Sequence, residues 1–168
     1  MNYELIRLPL LFVTLLALQV FVLNHFQLFG CAMPMFYIYF VITMKKGMAK
    51  WAKMIWAVSL GLLLDTFSNT PGGTAAAMTL AAMTQPYLLD LFMIREGEDD
   101  LIPSMSTIGT KPFINYTLVL VTIFCTTYYT LEMFSFVNIL QWLACVIGSS
   151  IITILLILAF DSLKRKKN

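Results

Sequence analysis

The chain has 168 residues, of which 60% are hydrophobic and only 12% charged, with a net charge of +2. Both fractions lie far from those of a soluble globular domain, which could not hide so much apolar surface at this size. The length allows one bundle and no second domain.

Six apolar segments can be drawn, at roughly residues 8–24, 31–44, 51–66, 74–94, 113–131 and 139–163. The expected architecture is an all-α polytopic membrane protein, with six transmembrane helices forming one compact domain over residues 1–168. The first segment reads as a retained helix. Its lead-in MNYELIR holds a single Arg, and no small-x-small cleavage site follows. Gln19 lies in its far half, where one interhelical hydrogen bond is expected. His25 falls in the following loop and reads as a lone loop histidine. Pro34 begins the second segment, where its missing N–H costs nothing. The second and third segments are short for spans of roughly 20 residues, which suggests local thinning or helices that end inside the protein.

The third segment carries Ala57, Gly61 and Asp65 four residues apart, on one helix face. Two small residues there allow another helix to approach closely. The chain then breaks at Pro71-Gly72-Gly73, and the fourth segment begins at once. Pro86 should kink that segment and free the carbonyl near Ala82. Asp90 follows one turn later, where it reaches either headgroups or a buried partner contact. The acidic connector with Glu96, Glu98, Asp99 and Asp100 reads as a solvated loop or as a contact for a partner. Glu132 reads as a solvated acid. Cys31, Cys125 and Cys145 have no metal-ligand spacing, and the latter two read as packing residues.

Orientation follows from the 11 Lys and Arg residues. Arg7 precedes the first segment; Lys45, Lys46, Lys50 and Lys53 lie between the second and third. Arg95 and Lys111 flank the loop between the fourth and fifth; Lys164 to Lys167 follow the sixth. The other loops, NHFQLFG, DTFSNTPGG and EMFSFVN, hold none. Both termini are therefore expected in the cytoplasm, with the chain crossing the membrane several times. The basic tail KRKKN suits a topology anchor that meets anionic lipid.

Three polar stripes are expected to face inward. They are Thr74, Ala77, Ala81 and Gln85 in the fourth segment, and Asn115, Thr122, Thr126 and Tyr129 in the fifth. Gln141, Cys145, Ser149 and Thr153, with Ala144 and Gly148, form the third in the sixth segment. Hydroxyls, amides and small residues are the usual packing glue between helices in lipid, and a ligand-lined cavity is the alternative.

Asp65 has no Lys or Arg on its side of the membrane to pair with. Its candidate partners are Thr66, Ser68, Asn69, Thr70 and the N–H groups of Gly72, Gly73 and Thr74. One reading has the carboxylate anchor the loop by accepting from the start of the next helix, whose first N–H groups are free and whose dipole favours an anion. A ligand or proton role and direct contact with a partner protein are the others. Nothing in the chain supplies a Ser-His-Asp set, a metal-ligand cluster or a phosphate loop, so neither catalysis nor a cofactor is expected. No nucleic-acid partner is expected either.

At these residues the sequence resembles the bacterial rod shape-determining membrane protein family MreD. The family's most recognisable stretch is a Gly, three apolar residues, an Asp, a short polar loop and a Gly. Here that is Gly61, Leu62 to Leu64, Asp65, TFSNTPG and Gly73. Leu18-Gln19 and Pro34 also fit, and length, six segments and termini agree over essentially the whole chain. The run Ala75-Ala76-Ala77 and the acidic connector depart from the pattern. The resemblance implies a non-catalytic scaffold of the cell-elongation complex of peptidoglycan synthesis. It implies the bitopic protein MreC as partner, in a complex with the MreB filament, a SEDS glycosyltransferase and a penicillin-binding transpeptidase. It also implies a fold similar to the S-components of energy-coupling vitamin transporters. A substrate-binding subunit of such a transporter is the alternative function. It would need a cavity with convergent polar groups.

Overall fold

Apolar runs of good helix formers fold as helices, and the computed structural model is all-helical over the residues it describes: 2–23, 33–70, 72–93, 101–133 and 139–167. The elements are α1 (Asn2–Phe21), a 3-10 turn (Phe36–Ile38) running into α2 (Tyr39–Ile42), α3 (Lys50–Ser68), α4 (Gly73–Phe92), α5 (Thr110–Glu132) and α6 (Ile139–Lys167). Among the described residues two helices are long and apolar enough to cross a membrane, over Thr110–Glu132 and Ile139–Lys164, and α1 holds a shorter apolar helix, Ile6–Phe21. Pro86 lies within α4 without ending it. His25, Cys31, Pro71, Arg95, the acidic residues at 96–100, and the loop residues at 134–138 lie outside the described residues.

The packing follows the chain. α3 lies on α4, α4 on α5 and α5 on α6, while α1 leans on α3. The second apolar segment departs from expectation. Among its described residues, 33–44, only seven, 36–42, are helical, and residues 34–44 are buried throughout. Pro34 helps to explain this. It has no N–H to donate, and it pushes the residue before it towards extended backbone. Met33 to Met35 accordingly form no helix.

A buried broken segment leaves backbone groups without helical partners, and those groups must be satisfied by something else. Here the surrounding helices do it with side chains. Gln19 Nε2 in α1 donates to the Pro34 carbonyl at 3.1 Å. The Met33 and Met35 N–H groups donate to Ser149 Oγ and Thr153 Oγ1 in α6, each at 3.1 Å. Tyr116 in α5 donates to the Ile42 carbonyl at 3.3 Å, and Gln85 Nε2 in α4 to that of Met44 at 3.3 Å. The polar residues inside the bundle therefore serve the backbone of one segment as well as joining helix to helix, as the Tyr129 and Ser149 hydroxyls do across α5 and α6 at 2.6 Å.

The stripes expected to face inward are corrected in part. Thr74, Ala77, Ala81 and Gln85 are all buried. Cys145, Ser149 and Thr153 are buried too, but Gln141 and Ala144 are exposed. On α5, Asn115 and Thr122 are exposed; the buried face runs through Phe113, Tyr116, Thr117, Leu120, Val121, Phe124, Cys125 and Tyr128, and of the expected stripe only Tyr129 is buried. Thr122 Oγ1 bonds the Leu118 carbonyl of its own helix at 2.7 Å, so its hydroxyl needs no inward partner.

Candidate functional site

The residues singled out around Asp65 converge on the turn between α3 and α4. α3 ends at Asn69, whose φ of 56° is left-handed, a conformation Asn tolerates at helix C-termini. α4 starts from Gly72, whose φ of 79° suits glycine, and it has no capping side chain of its own. The cap comes from the preceding helix. Asp65 Oδ1 accepts from the Thr74 N–H at 3.0 Å and from Thr70 Oγ1 at 2.6 Å, while Oδ2 accepts from the Ala75 N–H at 2.9 Å. Thr74 and Ala75 are the second and third residues of α4, the positions an N-cap side chain normally serves. The carboxylate is only 4% exposed, so these bonds and the α4 dipole replace its lost hydration.

Gly61 sets the distance at which this happens. A Cβ built on it would lie 2.5 Å from Ala75 Cα and 2.8 Å from Ala75 N. The two backbones touch, as the small-residue face predicts, and a small side chain at Ala75 fits beside that contact. Gly73 is different. It is helical, and a Cβ there would meet only Tyr128 Cε2 at 4.0 Å, so neither its backbone nor its surroundings demand glycine. Of the donors expected for Asp65, Thr70 and the Thr74 N–H engage it, and Ala75 adds one not anticipated. Thr66 instead bonds the Leu62 carbonyl at 2.8 Å.

Beside the turn lies a cavity of about 290 Å³, lined by Gln19, Met33, Met35, Tyr37, Leu64, Phe67, Ser68, Thr70, Thr74, Tyr128 and Glu132. Gln19 is 4% exposed, and its Oε1 has no partner among the described residues. Tyr37 lies beside Thr74, and Tyr128 beside the exposed Glu132.

Two buried charges escape a reading of the sequence. Asp161, 2% exposed near the end of α6, accepts from Tyr39 Oη at 3.2 Å and from the Met105 N–H at 2.7 Å. Its signal was present: it continues the every-fourth-residue series Cys145, Ser149, Thr153 and Ile157. Lys53, read above as a loop cation, is fully buried in α3 and donates to Gln85 Oε1 at 2.7 Å and to the Lys46 carbonyl at 3.2 Å. Asp90, by contrast, is exposed and pairs with Lys46 at 3.1 Å. Among the described residues no three His, Cys, Asp or Glu side chains gather as a metal site. Compared with known protein families, curated proteins and solved structures, the chain returns no significant match.

Proposed function

We propose that the chain is a non-catalytic, multi-pass scaffold of the bacterial cell-elongation complex, of the MreD kind, which binds MreC in the inner membrane. The observation that carries this reading is the Gly61–Asp65 turn. The residues that match the family's stretch are the ones that bring α3 against α4 and cap α4 across the loop. A turn held by a carboxylate, a hydroxyl and two backbone amides is a fixed surface, which suits holding a partner. Six passes with both termini in the cytoplasm fit the placement of the 11 basic residues. The broken second pass fits a membrane setting as well. Non-helical backbone at membrane depth is tolerated where protein surrounds and satisfies it. The wider partners, the MreB filament, a SEDS glycosyltransferase and a penicillin-binding transpeptidase, belong to the same reading.

Depletion of the chain in its own rod-shaped cells tests this function. Rounding or arrested elongation is the expected result. Unchanged rod growth after full depletion would refute the scaffold role, as would turnover of a lipid or peptide substrate by the purified protein. The cavity beside Asp65 favours a second reading, a substrate-binding subunit of an energy-coupling transporter. Co-purification of a vitamin in place of MreC would establish that one.

A further inference from the structure

We propose that the cavity at the Asp65 end of the bundle binds a small primary ammonium group, presented by a lipid headgroup or by a free amine. Four observations converge on this chemistry. First, Gln19 Oε1 is a buried acceptor without a partner on the wall of the cavity. A buried acceptor left unmade is costly, and a ligand N–H satisfies it. Second, the one charged side chain in the lining is Glu132, exposed and therefore at the mouth. Among the described residues no Lys or Arg lines the cavity.

Third, Tyr37, Tyr128 and Phe67 supply aromatic walls, whose faces attract ammonium groups. Fourth, α3 and α5 both end here, at Ser68 and Glu132, and the C-terminal end of a helix dipole favours a cation. The positive end that is present, the start of α4, is already occupied by the Asp65 carboxylate. An anion would meet Glu132, two helix C-termini and no basic side chain. A neutral polyol would satisfy Gln19 and donate to Glu132, but it would gain neither ion pairing there nor cation–π attraction from the rings. The volume of about 290 Å³ holds a headgroup-sized molecule and lies at the lower bound of small-molecule sites. The site does not depend on the scaffold reading, because its chemistry is local to the cavity.

The test uses the full chain in nanodiscs. Ethanolamine is titrated into protein held in phosphatidylglycerol discs, with ethylene glycol as the neutral control. A second set of discs contains phosphatidylethanolamine. Thermal unfolding is followed by intrinsic fluorescence. A saturable rise in Tm with ethanolamine identifies a free amine as sufficient. A rise confined to the phosphatidylethanolamine discs identifies the lipid headgroup. Glu132→Gln keeps the shape of an exposed side chain and should weaken either response at least tenfold, as should Tyr128→Phe to a smaller degree. No stabilisation from either source overturns the proposal. So does an equal response to ethylene glycol, or an undiminished response in folded Glu132→Gln.

Discussion

One added methyl group at Gly61 should loosen the α3–α4 crossing. In Gly61→Ala the new Cβ would stand 2.5 Å from Ala75 Cα and 2.8 Å from Ala75 N. Carbon atoms pack at about 3.5–4.0 Å, so the start of α4 has to retreat by about 1 Å. Backbone is in the way, and it cannot swing aside as a flexible side chain can. The same Ala75 N–H donates to Asp65 Oδ2 at 2.9 Å, and a retreat of that size carries it beyond hydrogen-bonding range. Overpacking costs about 1–3 kcal/mol, and a weakened hydrogen bond to a carboxylate costs up to about 1.5–3 kcal/mol. Against this, Ala in place of Gly within a helix gains about 0.5–1 kcal/mol. The clash wins, with a net loss of roughly 2–5 kcal/mol. Equilibrium unfolding in detergent micelles measures it. The loss should also be non-additive with Asp65→Asn, because both act on the Ala75 amide. A Gly61→Ala protein as stable as the wild type, or more stable, would refute the close-contact argument.

Asp65→Asn should cost about 1–3 kcal/mol of unfolding free energy, because both carboxylate oxygens accept hydrogen bonds and an amide offers only one acceptor. Shape and remaining acceptor capacity alone suggest a milder effect; an equally stable Asp65→Asn would show that one oxygen suffices. Asp161→Asn should release the Met105 N–H, seen as faster amide exchange at Met105, whereas unchanged exchange there would mean that the 2.7 Å contact holds nothing. Lys53→Met should destabilise by about 1–3 kcal/mol, and its loss should be non-additive with that of Gln85→Met, because both remove the same buried contact. A double variant whose loss equals the sum of the singles would contradict that network. For topology, cysteines placed at the exposed Ser68 and Ser106 should label from outside and inside respectively. Labelling in the reverse sense would overturn the orientation.

The Asp65 turn was legible because its parts lie close in sequence. Ala57, Gly61 and Asp65 share a helix face by spacing alone, and an acid with no nearby cation has to find backbone donors. Helix existence was equally readable; α3, α4 and α5 start and stop within three residues of the apolar segments drawn for them. The second segment was not readable, because a helix across lipid and a broken segment buried on all sides need the same apolar composition. The α5 stripe failed for a related reason. A helical hydroxyl can bond its own carbonyl four residues back, as Thr122, Thr127 and Thr130 do, so a Thr need not mark an inward face. Lys53 and Asp161 were hidden by position. Charges near the ends of apolar runs are read as solvated, yet both bury to bond the segment that fills the bundle or the loop beside it.

The scaffold reading stands or falls on the partner. A pull-down of the tagged chain from native membranes, in mild detergent, asks directly whether MreC travels with it. The account predicts that MreC co-purifies with the wild-type chain and is reduced in Asp65→Leu, in which the α4 cap and with it the fixed turn are lost. Wild-type protein that purifies folded, from membranes containing MreC, yet free of MreC would contradict it.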